Sequence, residues 1–366
     1  MNNGLPVHII AQIRQVLIVG PPPMPNRPVT MSDVARRAGV HAATVSRALR
    51  NDPRITAPQR EKIRRLATEL GYRTNPLVAA LMSARRAGNL PAYQATFAYV
   101  TKYPADQKAK FTRDYGELLA GARQRALAQG YRVEEFNIHN PDYTPRRVTE
   151  ILHSRDIHGL IVAPLHSVHD TVELDWSQFC AVAVGYSLKD VALSRVAHNH
   201  FTGFLLAAGH CRAVGRRRLG LVLQRRVHEK VEKRWVAAAL LDQSEHPPGD
   251  RVPPLLLDAS DAVSFGRWFR RHRPDVILGL EIPVLLGWLR DLGCPVPGAV
   301  GLVSLDRRPE DRGVAGIRQN YVTIGATAVD LLIGMAHRNE HGLLRASSTL
   351  LTDGEWQDGR TLGPVR

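Results

Sequence analysis

Apolar positions begin to recur at helical spacing near residue 29, after an opening stretch with no usable periodicity. In SDVARRAG, Val34, Ala35 and Ala38 share one face, and Gly39 offers a left-handed stop. Thr30 followed by Asp33 has the spacing of a capping box at the entry. A second helix over about 42–50 turns Val45, Ala48 and Leu49 inward. A third begins at Thr56, with Gln59 as another capping box, buries Ile63, Leu66, Ala67 and Leu70, and ends at Gly71. Three short helices with a glycine turn between the first two predict a helix-turn-helix unit.

Beyond Pro91 the pattern changes to alternating strand and helix. ATFAYVT reads as a strand, DYGELLAGARQRALAQG as a helix with Leu118, Leu119, Ala122 and Ala126 on one face. YRVEEFN, TPRRVTEILHSR and GLIVAP repeat the unit. The alternation returns through FLLAAGHCRAVG, RLGLVL, KRWVAAALL, PPLLLD, a helix near 260–272, DVILGL, PVLLGWLRDLG and VGLVSLD. Such alternation predicts parallel sheets with helical crossovers. The units are too many for one sheet of usual size, so two α/β lobes are expected. PDYTPRR and LDWSQF stand out from this pattern without a physical role.

Charge sharpens the division. The chain carries a formal +15, and residues 1–90 hold fourteen Arg and Lys against four Asp and Glu. A small basic module meeting a polyanion, joined to a nearly neutral body, accounts for that asymmetry. Residues 1–28, with PPPMPNRP, read as a disordered leader, and Met24 is an equally good start. No apolar run approaches the roughly 18–20 residues of a membrane span. VLIVG at 16–20 is shorter than a signal-peptide core and lacks a cleavage pattern, so a cytoplasmic, nucleoid-associated protein with no membrane partner is expected. Cys180, Cys211 and Cys294 are scattered, with no CxxC and no nearby histidine at ligand spacing. His153, His158, His166 and His169 follow no metal spacing on one helix face. No metal and no cofactor are expected.

The second helix, within HAATVSRALR, carries the candidate chemistry. In a helix-turn-helix unit its N-terminal end lies against base edges in the major groove. Ala42 and Ala43 allow close backbone approach, and a methyl there packs on a thymine methyl. Arg47, one turn on, reaches guanine O6 and N7, while Thr44, Ser46, Arg50 and Arg54 suit phosphates. The plain alternative is a small helical bundle with exposed arginines.

The run VTMSDVARRAGVHAATVSRALRNDPRITAPQREKIRRLATELGYRTNPLVAALM resembles the DNA-binding headpiece of the lactose/galactose-repressor family of bacterial transcription regulators. The likeness runs without a gap through DVA..AGV, TVSR.L, REK and LGY. It implies further DNA contacts from Thr30, Ser32, Tyr72 and Asn75. One departure is His41, where the family usually has Ser or Thr capping the recognition helix; a histidine caps less well. NPLVAALMSARR is too short and too weakly amphipathic to be a stable helix alone. The resemblance implies a hinge helix there, folding only on operator DNA, with Leu81 wedged between base pairs of the minor groove. Interdomain packing is the other reading of Leu81.

The body is similar to the same family's periplasmic sugar-binding-protein type core, most clearly at VSLD, 303–306, and GIRQN, 316–320. The implied fold is an all-α helix-turn-helix headpiece plus an α/β two-lobed periplasmic-binding-protein-like effector domain. Its parts are a leader (1–28), the headpiece (29–74), a hinge or linker (75–90) and a ligand-binding and dimerisation domain (91–366). Three chain crossings join the lobes, a DNA-proximal one over about 91–197 and 306–336 and a distal one over about 198–305 and 337–366. An effector lies between them, at the carboxyl ends of strands. The resemblance places Glu281 where the family usually has Asp. It puts Arg234 near the family's cleft arginine, with Trp235 competing for that position. Asp306 and Gln319 fall at lobe crossings, and Arg113 and Tyr115 flank the first helix. Each has a plain alternative as a surface or core residue.

The expected function is a ligand-responsive, sequence-specific DNA-binding transcriptional regulator, with repression the expected outcome. Its partners are double-stranded operator DNA, a small carbohydrate-like effector and a second copy of itself. The absence of apolar heptads in WQDGRTLGPVR points to a dimer rather than a tetramer built on a terminal coiled coil. Two alternatives are a ligand-independent architectural DNA binder and a sugar-processing enzyme fused to a helix-turn-helix. GxxxxGK[ST], GxSxG and HExxH are all absent, so an enzyme is not expected.

Overall fold

The computed structural model describes residues 31–49, 52–70, 72 and 95–364. The expected leader over 1–28 and hinge over 75–90, with Thr30, Arg50, Asn75 and Leu81, lie outside the described residues. The chain divides into two compact units, one up to Asn75 and one from Pro76 onward.

In the first unit, α1 (Met31–Ala38), α2 (Ala42–Leu49) and α3 (Ala57–Glu69) enclose a small core of Val34, Ala35, Val45, Ala48, Ile55, Ile63 and Ala67. The α1–α2 turn needs Gly39, whose φ of +70° is strained for any residue with a Cβ. Val40 N–H donates to the Ala35 carbonyl at 3.0 Å and satisfies one of the orphan acceptors of α1. Thr56 occupies the cap position of α3, yet its side chain makes no capping bond. The capping box expected of Thr56 and Gln59 is therefore not formed; Pro58 in the first turn presets the helical φ instead.

The second unit contains two six-stranded sheets. In the first lobe β1 (Thr96–Thr101), β2 (Arg132–Asn137), β3 (Gly159–Val162), β4 (Cys180–Val184), β5 (Ser194–His198) and β11 (Thr349–Thr352) run parallel in the order β11-β5-β4-β3-β1-β2. In the second, β6 (Leu219–Gln224), β7 (Leu255–Leu257), β8 (Val276–Gly279), β9 (Gly301–Ser304), β10 (Ala315–Arg318) and β12 (Glu355–Gln357) lie in the order β12-β10-β9-β8-β6-β7. Only β12 pairs antiparallel among these. The central strands read as continuous apolar runs because cores form on both faces of each sheet.

Helices α4 (Lys108–Ala128), α5 (Pro145–Ser154) and α11 (Tyr321–His337) belong to the first lobe, and α6 (His200–Ala213), α7 (Arg225–Lys230), α8 (Arg234–Ser244), α9 (Ala262–His272) and α10 (Ile282–Asp291) to the second. Three crossings join the lobes, but two of them differ from the expected boundaries. Strand β10 stays in the second sheet, so the chain returns at 319–320 rather than at 305–306. Strand β11 stays in the first sheet, so the last crossing falls at 353–354 rather than after 336. Residues 306–318 are held to the second lobe by the pairing of β10 with β9, which a hydrophobic pattern does not reveal.

The two segments without an assigned role turn out to be helix entries. In PDYTPRR, Thr144 Oγ1 accepts from Arg147 N–H at 3.2 Å and Pro145 starts α5. In LDWSQF, Asp175 accepts from Ser177 N–H and starts a single 3₁₀ turn. Arg216, 1% exposed, donates to the carbonyls of Asp275 and Gly363 and so ties the C-terminal stretch to the second lobe. Cys180 and Cys211 are buried free thiols, each pushed up to about 12 by burial and thus unreactive. Among the described residues no helix is long and apolar enough to cross a membrane.

Helices α4 and α11 meet through glycine. A Cβ on Gly121 would overlap the Val322 carbonyl, and one on Gly325 the Leu118 carbonyl. Gly325→Ala is therefore expected to cost about 1–3 kcal/mol, seen as a lower urea midpoint. Gly209→Ala in α6, where a Cβ meets nothing within 4 Å, should be neutral or stabilising. Equal stability of the Gly325→Ala and Gly209→Ala proteins would contradict this packing.

Candidate nucleic-acid interface and ligand cleft

The surface of α2 follows from which residues its core consumes. Val45 and Ala48 are buried, and Ala42 packs partly against them. Ala43 and Arg47, one turn apart, are exposed on the outward face, with Thr44 and Ser46 half-buried beside them. The helix entry has an imidazole where a hydroxyl is usual. His41 Nδ1 accepts from Ala43 N–H at 3.3 Å, so the ring satisfies one first-turn donor at long range. Arg54 is committed locally: its guanidinium forks onto Asp52 at 2.7 and 2.9 Å, and these hydrogen bonds hold the Asp52 carboxyl well below its usual range. Tyr72 packs partly on the core, and Ser32 lies exposed on α1.

In the second unit the carboxyl ends of both sheets open onto one cavity of about 670 Å³. Gly185 to Ser187 follow β4, His198 ends β5, Gln224 ends β6, Glu281 follows β8 and Asp306 follows β9. Strand ends gather there because every parallel strand but its antiparallel edge neighbour points the same way. The lobes touch across the cavity. Lys230 Nζ donates to Tyr115 Oη at 2.8 Å, Lys189 pairs with Glu232 at 2.6 Å, and Arg308 Nη1 donates to the Asp114 carbonyl at 2.7 Å.

Arg308 also pairs with Asp306 at 2.8 Å, and the Tyr321 hydroxyl donates to Asp306 at 2.9 Å. Burial raises the Asp306 carboxyl above its ordinary value, opposed by Arg308 and by the Tyr321 hydrogen bond. On the cavity wall Trp235 Nε1, the Tyr186 hydroxyl, His200 Nδ1 and Asp306 Oδ1 are buried without a hydrogen-bond partner. Buried polar atoms are almost always satisfied in native proteins, so several orphans on residues that line one cavity are compatible with a polar occupant there once the wall adjusts to it. Trp235 and the Tyr186 hydroxyl are donors there, Asp306 Oδ1 an acceptor, and His200 Nδ1 either one according to tautomer. Such a set matches a ligand bearing several hydroxyls.

Residues 30–75 match the profile described as "Bacterial regulatory proteins, lacI family". The headpiece is a lacI-family unit. The chain is 32% identical over 146 residues to the HTH-type transcriptional regulator DegA of Bacillus subtilis (strain 168), covering 39% of this chain and 38% of that protein. The match thus spans well under half of that relative's length. Against the HTH-type transcriptional regulator PtxS of Pseudomonas putida it is 24% identical over 331 residues, covering 87% and 92%. Its fold is that of the transcriptional regulator CelR–cellobiose complex, at TM-score 0.53 and 17% identity, over 91% of this chain and 99% of that one. It also matches the lac repressor dimer bound to operator and the anti-inducer ONPF, at TM-score 0.51 and 18% identity, over 92% and 99%.

Six of the seven residues nominated for the effector line the cavity: Arg113, Tyr115, Trp235, Glu281, Asp306 and Gln319. Arg113 and Tyr115 lie inside α4, which begins at Lys108 rather than near Asp114. Arg234 does not line it. Its guanidinium lies 4.2 Å from the centre of the Tyr186 ring and pairs with Glu232, one layer behind the wall. Trp235 lines the wall through an edge rather than an open face, because the ring is 2% exposed and meets His200 edge-on. Glu281 is already engaged, accepting from Gln224 Nε2 at 2.8 Å. Asp306 sits on the second lobe and not at a crossing, whereas Gln319 is at the crossing and donates to the Leu305 carbonyl.

Tyr186, His198, His200, Arg308 and Tyr321 escaped the sequence reading. Strands β4 and β5 and helix α11 were not delineated, so their ends were not visible as wall positions. The HNH run at 198–200, directly after an apolar segment, was the available signal.

Burial pulls the His198 imidazole down to about 4 and, with His198 and Arg234 adding, His200 well below its ordinary value. A histidine lowered in the fold binds its proton later than in the unfolded chain. Stability is therefore whole above the ordinary value of 6.5 and falls as pH drops from there toward 4. His198 alone accounts for about 3 kcal/mol of that loss. The urea midpoint should fall between pH 7 and pH 5, and His198→Gln should shrink the fall. An undiminished fall in that variant would remove His198 from the account.

Proposed function

We propose that the chain is a ligand-responsive, sequence-specific DNA-binding transcriptional regulator, acting as a repressor. The observation that carries this reading is the outward face of α2, where Ala43 and Arg47 stand exposed on a helix-turn-helix unit of the lacI family. In this reading Ala43 meets a thymine methyl and Arg47 bonds a guanine edge with two hydrogen bonds, discriminating by about 1–3 kcal/mol. Thr44, Ser46, Ser32 and His41 contact the phosphate backbone and set the register. Two copies bind a near-palindromic operator, and residues 75–90 act as the hinge between headpiece and body. The effector is a carbohydrate or related small metabolite held in the interlobe cavity by the unpartnered donors and acceptors of Tyr186, His200, Trp235 and Asp306. It acts through different affinities for two arrangements of the lobes, which is all that a coupling requires.

Arg47→Ala tests the headpiece assignment. Selection of bound fragments from a random duplex library should recover a defined operator with the parent protein. With the variant, preference at one base position should disappear while weak, salt-sensitive binding persists. The same operator selected by both proteins would remove Arg47 from base readout.

A further inference from the structure

The two lobes bring like charges, with a histidine among them, to the lining of the cavity. Lys110 on α4 and His166 after β3 belong to the first lobe; Arg226 and Lys230 on α7 belong to the second. Arg226 Nε donates to the neutral amide oxygen of Gln224 at 2.5 Å and Lys230 to the neutral Tyr115 hydroxyl. Several other basic side chains of the unit meet carboxylates instead, as in Arg225–Asp258, Lys189–Glu232 and Arg308–Asp306. Several acids of the same lining are engaged elsewhere, Asp306 and Asp311 by Arg308, while Glu310 lines the cavity as well. Asp170 accepts from Ser167 N–H, Asp114 pairs with Arg113 and Glu281 takes the Gln224 amide. His166 registers the local excess: burial first, then Lys110, Arg226 and Lys230, press its ring toward the neutral form, against Asp170.

Bringing Lys110 to the same cavity as Arg226 and Lys230 costs electrostatic energy. An anion seated among them reverses the sign of that cost and adds charge-assisted hydrogen bonds. We infer that the effector carries an anionic oxygen group, a phosphate ester or a carboxylate, bound by Lys110, Arg226 and Lys230 of the cavity lining while its hydroxyls meet the polar wall. This rests on the effector-cavity reading above and narrows the ligand to polyhydroxy compounds bearing negative charge.

The probes are glucose, galactose and mannose, each with its 6-phosphate and its aldonic acid, plus inorganic phosphate. Each is titrated into the full chain by calorimetry and by thermal melting, at constant ionic strength set with chloride. At least one anionic probe should raise the melting midpoint, and its neutral parent should bind at least about tenfold more weakly. Whether the phosphate or the carboxylate series responds identifies the group. The Lys110→Gln/Arg226→Gln double variant should lose about tenfold in affinity for that anionic probe. A neutral hexose binding as tightly as its charged derivatives, or no anionic probe shifting the midpoint, overturns the inference. Selective DNA binding is measured on the same preparation. If it survives without an anion response, only this inference falls; if it is missing, the functional reading beneath it falls.

Discussion

The guanidinium of Arg308 is the constraint on which the second unit depends. It leaves the second lobe just after β9 and reaches the first, bonding the Asp114 carbonyl on α4 while pairing with Asp306 and stacking 4.3 Å from the centre of the Tyr321 ring. A charge this far from water is tolerable only when fully compensated. That compensation draws on the loop after β9, on α4 and on the start of α11 at once. One side chain thus fixes the lobe arrangement and positions Asp306, whose second oxygen is left facing the cavity wall without a partner. The wall and the closure are therefore not independent features. A ligand that engages Asp306 touches the same network that holds the lobes together.

The cavity is built on contrast. Part of its lining is aromatic and hydroxyl-bearing, with histidines kept neutral by burial, whereas another part carries Lys110, Arg226 and Lys230, for which no carboxylate partner is seen among the described residues. Neither half by itself names a ligand. Together they fit the proposed effector, a small polar molecule with one charged end. Beneath the wall, the glycine contact of α4 with α11 brings two helix backbones close enough to act as one rigid layer under the first sheet.

The helix-turn-helix unit was almost entirely legible from the chain. Helices α1 to α3 match their expected spans closely, and Val34, Val45 and Ile63 are buried as their spacing implies. Local rules suffice there, because a three-helix unit of this size has one small core and each amphipathic face can point only at it. Even so, two details needed coordinates: the bond that His41 Nδ1 accepts from Ala43 N–H, and the commitment of Arg54 to Asp52. The cavity was legible only in part. Arg113, Tyr115, Trp235, Glu281, Asp306 and Gln319 were nominated through resemblance, and they do line one space. Tyr186, His198, His200, Arg308 and Tyr321 were not nominated.

What the sequence determined by itself is the class of each part: a basic helix-turn-helix unit and an α/β body with two sheets. Charge asymmetry and the period of the apolar positions act locally and survive without knowledge of neighbours. Tertiary structure alone decided where the chain changes lobe, because the allegiance of β10 and β11 is set by backbone hydrogen bonds to β9 and β5, remote in sequence for β11 and invisible to side-chain pattern for both. It alone decided which buried polar atoms are left unpaired, since satisfaction is a property of the partner and not of the residue. It alone brought Lys110 and His166 opposite Arg226 and Lys230, because charges more than fifty residues apart have no relation until two lobes close on one space.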